Sequence, residues 1–536
     1  MFDLLDLLKR TSYEQWFYLL VFVSLLLRLL CLHPFVFEGP SFYDEAHWVI
    51  DAKAIALGMG FINPAIPGNP PESIIQYSPG FPIIIALLFH ILGTENLLLI
   101  KSIPIISSIG VIITTFALMR NLFGKRIGLI SAIFVSFHFQ LFVFSHLLQP
   151  EIILSFLLVL LVYITISWTD TKKSKFLLIA IPICITLMIV RVVGFLIIPL
   201  LFLYIFLRGT NWKERILKNS FLYVGILSIL AIVAREYLLT GSFLGTYQHE
   251  LFYYNPHDWR GSAVSSTDTG YIIARMASGI LFYLSGIPSI VLFEVIPQIS
   301  ISLPLAYFFI GLGIILSMKR KRTEGIILFL FVAINIIFFS WWYWKQIRYI
   351  LPLSPLLLPF CAISFAKIAD WTTILLRTKK TYFTKFNKKN MALIISAIIF
   401  LGFIMPDTIR TLIHVEKDRT HPLSTIQEET INAYLWIRDN TPSDAIVMSR
   451  NPQRAYYLCE RQGVFLQYSL EKQDQLAFMR EWGVSYIVLE DIPEIREAYY
   501  WLFNPHNVPK EFHLAYYAEV SQDNNKPFVI AIFSFS

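Results

Sequence analysis

The residues best suited to chemistry lie in Phe42-Tyr43-Asp44-Glu45-Ala46-His47-Trp48, where two adjacent carboxylates are followed by an imidazole. Residues 46–57 lack Gly and Pro, and the run stops at Gly58-Met59-Gly60, which predicts a helix. A spacing of three puts Asp44 and His47 on one helical face. A carboxylate so placed can take the proton of an attacking hydroxyl, provided that burial or a cation tunes its pKa. Asp is also a favoured N-cap residue, so Asp44 has a purely structural reading too.

Other ionisable residues stand at the edges of apolar runs. Glu151 follows Pro150 in Leu147-Leu148-Gln149-Pro150-Glu151, and Arg191 divides Met188-Ile189-Val190 from Val192-Val193-Gly194. Charges at such depths are costly and mark function by default, although Glu151 could be a solvated helix start and Arg191 a snorkelling side chain. Lys345 and Arg348 follow Trp341-Trp342-Tyr343-Trp344, and Tyr349 comes next. The topology below places these two cations on the outer face, against the usual bias, which argues for an anionic partner such as a lipid phosphate.

The elements that must hold these residues are set by composition. Of 536 residues, 56% are hydrophobic and 15% charged, and the mean hydropathy is +0.60. Too little polar surface exists for a soluble globule, so the chain reads as a multi-pass, mainly helical membrane protein. The first apolar run is long and is followed by no small-residue cleavage pattern, so it reads as the first span and not a signal peptide. Lys/Arg clusters at Lys9–Arg10, Arg120–Arg126, Lys172–Lys175, Arg208–Lys218, Lys319–Arg322 and Arg377–Lys389 mark the cytoplasmic face. With the N-terminus cytoplasmic, about eleven spans alternate at 13–33, 97–119, 127–147, 150–168, 176–190, 192–207, 219–239, 300–318, 324–342, 349–366 and 391–406. Residues 34–96 and 240–299 become external loops, and the apolar pieces 81–92 and 276–298 read as interfacial or re-entrant helices. The net charge of +7 comes largely from the clusters beside the spans, so it signals topology and not nucleic-acid binding.

The expected membrane domain is 1–406, and 407–536 forms an external α/β domain. In it, 424–438, 453–460 and 471–481 read as helices, and 445–448, 485–489, 513–520 and 527–535 as strands. It carries no catalytic motif. Cys31, Cys184, Cys361 and Cys459 lie far apart and spell neither a disulfide framework nor a zinc site. No residues have metal-ligand spacing beyond the Asp44-Glu45 pair, so no metal is required, while a divalent cation is compatible with that pair.

Taken together, these segments resemble the GT-C membrane glycosyltransferases, in the branch of protein O-mannosyltransferases and aminoarabinose transferases. Asp44-Glu45 resembles the family's first-loop motif, and Gln76-Tyr77-Ser78-Pro79-Gly80-Phe81-Pro82 its loop-closing segment. Glu151 stands where the family tends to have an acid. Arg191-Val192-Val193-Gly194 resembles Arg-Pro-x-Gly, and Arg348-Tyr349-Ile350-Leu351-Pro352 resembles Arg-Tyr-x-x-Pro. Trp436–Pro442 and Gly483–Val488 are similar to the soluble appendage of bacterial members. The aminoarabinose subgroup is not supported: Ser78 stands where it has Lys, and His47 where it has Arg.

The resemblance implies an inverting sugar transfer from a polyprenyl-phosphate donor, undecaprenyl or dolichyl, to an external glycan, glycolipid or protein. Asp44 would be the base, Glu45 its orienting partner, and Glu151 would shape the sugar pocket. His47, Tyr77, Arg191, Lys345, Arg348 and Tyr349 would bind substrate. The implied location is a bacterial or archaeal plasma membrane. A metal-dependent oligosaccharide transferase and a non-enzymatic transporter are the alternatives. The transporter fits less well, because no related halves are detected and the charges gather at one face.

Overall fold

The computed structural model describes residues 12–32, 44–67, 78–93, 95–171, 173–191, 194, 196–208, 269–291, 302–341, 345–378, 408–417, 424–468, 470–503, 508–520 and 528–536, with isolated positions at 227–237. The chain forms two compact units. One comprises Met1–Leu32, Lys101–Gly245 and Ser266–Arg419; the other comprises His33–Ile100, Thr246–Ser265 and Thr420–Ser536.

The first unit is helical. Across the described residues of the chain, five helices are long and apolar enough to cross a membrane: Tyr13–Leu30, Leu97–Phe123, Pro150–Thr171, Thr323–Trp341 and Ile347–Thr372. The expected spans over 219–239 and 391–406 lie outside the described residues, apart from the isolated positions. The expected span over 127–147 is divided. Lys125–Phe137 ends at His138, whose imidazole caps Phe139–Phe144 by accepting a hydrogen bond from the Leu141 N–H at 3.2 Å. A side-chain cap of this kind stabilises a break that hydropathy alone does not reveal.

The apolar piece expected over 276–298 starts earlier and is one continuous 23-residue helix, Thr269–Val291. Its packing explains the difference. A Cβ on Gly279 would stand 2.4 Å from the Ser340 carbonyl oxygen, so this helix lies backbone against backbone on Arg322–Trp341. Small residues permit such close approach between helices in lipid. Gly313 likewise seats Ser302–Arg320 on the Phe360 backbone, and the Ser364 hydroxyl donates to the Phe309 carbonyl at 2.6 Å.

Arg28, inside the first apolar helix, is 1% exposed. Its guanidinium donates to the Ser108 hydroxyl at 2.8 Å, to the Ser24 hydroxyl and carbonyl, and to the Ser136 carbonyl at 3.4 Å, with the Phe142 ring 5.1 Å away. A buried cation with partners on three helices ties them together instead of lining a pathway. Ion pairs gather several helix ends as well. Lys125 meets Glu14 at 2.6 Å, Arg126 meets Asp370 at 2.7 Å, and Arg208 meets Asp170 at 2.9 Å and Glu324 at 3.7 Å.

The second unit is built on a five-stranded sheet of order β2-β1-β3-β5-β4. The strands are β1 Ile446–Ser449, β2 Gly463–Phe465, β3 Val484–Glu490, β4 Phe512–Val520 and β5 Phe528–Phe535. The pairs β1–β2 and β1–β3 are parallel, while β5 runs antiparallel to both β3 and β4. The two faces alternate along each strand. Val447 and Val488 point to the core under helix Thr425–Asn440, and Met448, Ile487 and Leu489 to the opposite core around Met479 and Trp501. Ser424 and Gln427 form a reciprocal capping box that starts the first of these helices.

The first long loop belongs to this unit. Helix Asp44–Ala56 packs on Gly80–Leu92, where Trp48 meets Phe81 edge-on at 5.6 Å, and on helix Pro452–Cys459. The Lys53 ammonium pairs with Glu95 at 2.5 Å and lies 6.0 Å from the Tyr457 ring centre. The Gly463 N–H donates to the Ala65 carbonyl at 2.8 Å, and the Gln462 amide to the Pro64 carbonyl at 3.1 Å. The loop is thus pinned to the edge strand β2.

Candidate active site

Two groups of the expected residues are assembled locally. The first is on the Asp44–Ala56 helix, in the unit with the sheet. Asp44 is its first residue, as the sequence pattern predicts, and Asp44's side chain lies outside the described atoms. Glu45 is fully buried, and His47 is 5% exposed. The His47 Nε2 stands 3.0 Å from the Asp51 carboxylate, one helical turn on, and Asp51 is fully buried. Sequence reasoning passed over Asp51, although the spacing of four between His47 and Asp51 was its signal. The imidazole thus has one nitrogen within 3.0 Å of a buried carboxylate, which favours its protonated form. Tyr77 lies outside the described residues.

The second group is in the helical unit. Glu151 opens Pro150–Thr171, and Arg191 closes Ser174–Val190. Arg191 Nη2 donates to Glu151 Oε1 at 2.6 Å, and the Glu151 side chain is 2% exposed against 24% for Arg191. A buried carboxylate requires such a partner, because an unpaired charge costs several kcal/mol, about 3–5 when one partner of a buried pair is removed. The Tyr349 ring centre lies 5.7 Å from the Arg191 guanidinium carbon and 5.5 Å from that of Arg348. Two cations therefore flank one aromatic ring, which Phe339 stacks at 5.5 Å.

Lys345, just before the short helical turn Ile347–Tyr349, donates to the Ser278 hydroxyl. Burial, with Arg275 nearby, lowers its ammonium pKa. Arg275 is a cation the sequence reading missed, since it lies within the predicted loop 240–299. Cations crowded near one another favour an anion, and a tetrahedral phosphate accepts several guanidinium and ammonium hydrogen bonds together. Glu151, Arg191, Arg348 and Tyr349 are thus brought together, and Lys345 adjoins them along the chain.

Among the described residues no three His, Cys, Asp or Glu side chains come close enough to hold a metal ion.

The chain shares its fold with solved membrane glycosyltransferases. It matches the oligosaccharyltransferase of Archaeoglobus fulgidus in its apo form with a TM-score of 0.63 and 14% identity, over 90% of this chain and 70% of that one. It matches AglB of the same organism, solved with an inhibitory peptide and a dolichol-phosphate, with a TM-score of 0.60 and 12% identity over 98% and 75%. ArnT of Cupriavidus metallidurans, bound to undecaprenyl phosphate, matches with a TM-score of 0.57 and 11% identity over 97% and 98%. At identities this low the likeness is one of fold alone. The family of dolichyl-phosphate-mannose-protein mannosyltransferases matches residues 76–237, a stretch that contains Glu151 and Arg191. Fold and matched segment are thus both similar to those of GT-C membrane glycosyltransferases. None of the curated proteins matches it significantly in sequence.

Proposed function

We propose that the protein moves a sugar from a polyprenyl-phosphate donor to a hydroxyl-bearing acceptor on the outer face of the membrane, with inversion. The observation that carries this reading is the cluster in which Arg191 and Arg348 flank Tyr349 while Arg191 holds the buried Glu151. It offers positive charge for a phosphate beside an acid that can accept hydroxyl hydrogen bonds. Related folds bind lipid phosphates: dolichol-phosphate in AglB and undecaprenyl phosphate in ArnT.

In the reaction the acceptor oxygen attacks the anomeric carbon and Asp44 takes its proton. The bond from that carbon to the phosphate oxygen breaks, and the polyprenyl phosphate leaves with the electron pair. Arg191, Arg348 and Lys345 meet the charge that grows on the phosphate, which stabilises the transition state more than the bound donor. Glu45 orients Asp44 or the acceptor, and His47 and Tyr77 are assigned to substrate binding.

Orientation follows from helix ends. Glu151 and Asp170 lie at opposite ends of one helix, about 28 Å apart at 1.5 Å per residue. The Arg208–Asp170 end carries the basic rim, so the positive-inside bias puts the Glu151 end outside. Docking of the 44–65 segment on the C-terminal domain supports one side of the membrane for both. The eleven-span layout, with a membrane domain of 1–406 and an external domain of 407–536, belongs to this proposal.

The experiment is transfer by the purified protein from undecaprenyl-phosphate mannose to an acceptor extract from its native membrane, with release of undecaprenyl phosphate as the readout. Absence of release with every hexosyl lipid offered refutes the reading. A divalent cation at Asp44-Glu45 is the alternative favoured by a related oligosaccharyltransferase solved with Zn and sulfate. Activity that resists EDTA supports the metal-free reaction; loss on chelation with recovery on adding Mn2+ supports the metal-dependent one.

A further inference from the structure

Gln149 is fully buried, yet neither its amide nitrogen nor its amide oxygen has a hydrogen-bond partner among the described residues. Two residues on, Glu151 gives Oε1 to Arg191, whereas its Oε2 is buried with no such partner. The residue between them is Pro150, which brings no N–H, and the Gln149 N–H is already spent on the Leu147 carbonyl at 2.8 Å. Three polar side-chain atoms are therefore left over within three consecutive residues, at the start of a 22-residue helix. Buried polar groups in folded proteins are almost always paired, and each unpaired one costs about 1–3 kcal/mol. A set of this size, beside two cations, is the signature of a site that a ligand completes.

The atom types say what the ligand is. Gln149 Oε1 and Glu151 Oε2 only accept, while Gln149 Nε2 donates twice. A phosphate, itself only an acceptor, would be repelled by Glu151. A neutral ring bearing adjacent hydroxyls satisfies all three atoms, because each hydroxyl both donates and accepts. We propose that Gln149 is a specificity-determining residue that reads the hydroxyls of the donor sugar. Glu151 Oε2 takes a second hydroxyl, and Arg191 divides its charge between Glu151 and the donor phosphate. The inference rests on the lipid-phosphate-sugar reading above. It extends that reading by assigning the sugar ring to the Gln149–Glu151 segment, separately from the phosphate.

The test is equilibrium binding, which needs no turnover and so stands or falls apart from the transfer assay. The full-length native protein and Gln149→Leu are each titrated with undecaprenyl-phosphate mannose, undecaprenyl-phosphate glucose and bare undecaprenyl phosphate. The native protein should bind at least one hexosyl lipid more tightly than the bare lipid phosphate. Gln149→Leu should lose about tenfold for that hexosyl lipid, the worth of one hydrogen bond, and be unchanged for the bare lipid. Its ligand-free form should also unfold at a higher temperature than native, since an unpaired buried amide has been replaced by an apolar group of similar size. Equal native affinity for all three lipids overturns the assignment. So does an equal loss for hexosyl and bare lipids, no loss for either, or a Gln149→Leu protein that is less stable or fails to fold, which would make Gln149 a structural residue.

Discussion

Replacing Arg191 by Met separates the two tasks assigned to that side chain. In the native protein the Glu151 carboxylate is 2% exposed and has its Arg191 partner at 2.6 Å. Removing the guanidinium alone leaves a buried carboxylate without its counter-charge, a loss of about 3–5 kcal/mol. At roughly 2 °C per kcal/mol for a large domain, the thermal midpoint in detergent should fall by about 6 °C or more. Adding Glu151→Gln removes the orphaned charge, so the double variant should recover most of that fall. Its affinity for undecaprenyl phosphate should not recover, because the phosphate has lost a cation in both variants. Unfolding monitored by intrinsic fluorescence, with lipid binding measured in parallel, reads both effects. A single variant that melts within a degree of native, or a double variant less stable than the single, refutes the claim that the pair is a buried charge balance. Recovery of lipid affinity in the double variant refutes the phosphate role of Arg191.

Two further outcomes follow from the geometry. Asp51→Asn should raise the KM for donor or lower kcat several-fold while Asp51→Glu recovers part of the loss, because the carboxylate acts by holding His47 at 3.0 Å; equal and complete loss in both variants would point to a folding role. The His414 imidazole, in the helical segment 408–417, stacks on His146 with their Nε2 atoms 3.2 Å apart, and burial, helped by Lys417, lowers its pKa to about 4. Because the folded-state value lies below the unfolded value of 6.5, the unfolded chain takes up the proton first. Stability is full above about pH 6.5 and falls as pH drops towards 4. His414→Phe should flatten that fall in a melting series from pH 7.5 to 4.5; an unchanged pH dependence contradicts it.

Much of the architecture was legible because it rests on local grammar. The pattern 424–438 anticipated Thr425–Asn440 with its Ser424 cap, and 485–489 anticipated β3, since alternation and capping are written in neighbouring residues. The short β2 was missed: Gly463–Phe465 is only three residues long, and its pairing comes from β1. Tertiary partnerships were harder. Arg28 sits in an apolar run and was passed over, and its partners, Ser108 and the Ser136 carbonyl, lie 80 and 108 residues away. Glu151 and Arg191 were each singled out for cost in lipid, but their pairing across 40 residues could not be read from either segment. Gln149 gave no signal in the sequence, because a neutral amide next to Pro150 is ordinary until burial leaves it unpaired. The docking of the first loop on the C-terminal domain was likewise hidden, since Ala65 and Gly463 meet through backbone atoms that carry no side-chain signature.

The central claim is that this fold performs sugar transfer with Asp44 as its base. The most direct measurement is release of undecaprenyl phosphate from undecaprenyl-phosphate mannose, or from the hexosyl lipid the native protein prefers, by the native protein and by Asp44→Asn. Both proteins must be shown to melt at the same temperature. The account predicts transfer by the native protein and a fall of at least about a hundredfold in the variant, the usual scale of a lost general base, with lipid affinity retained. Equal rates in the two proteins would contradict it.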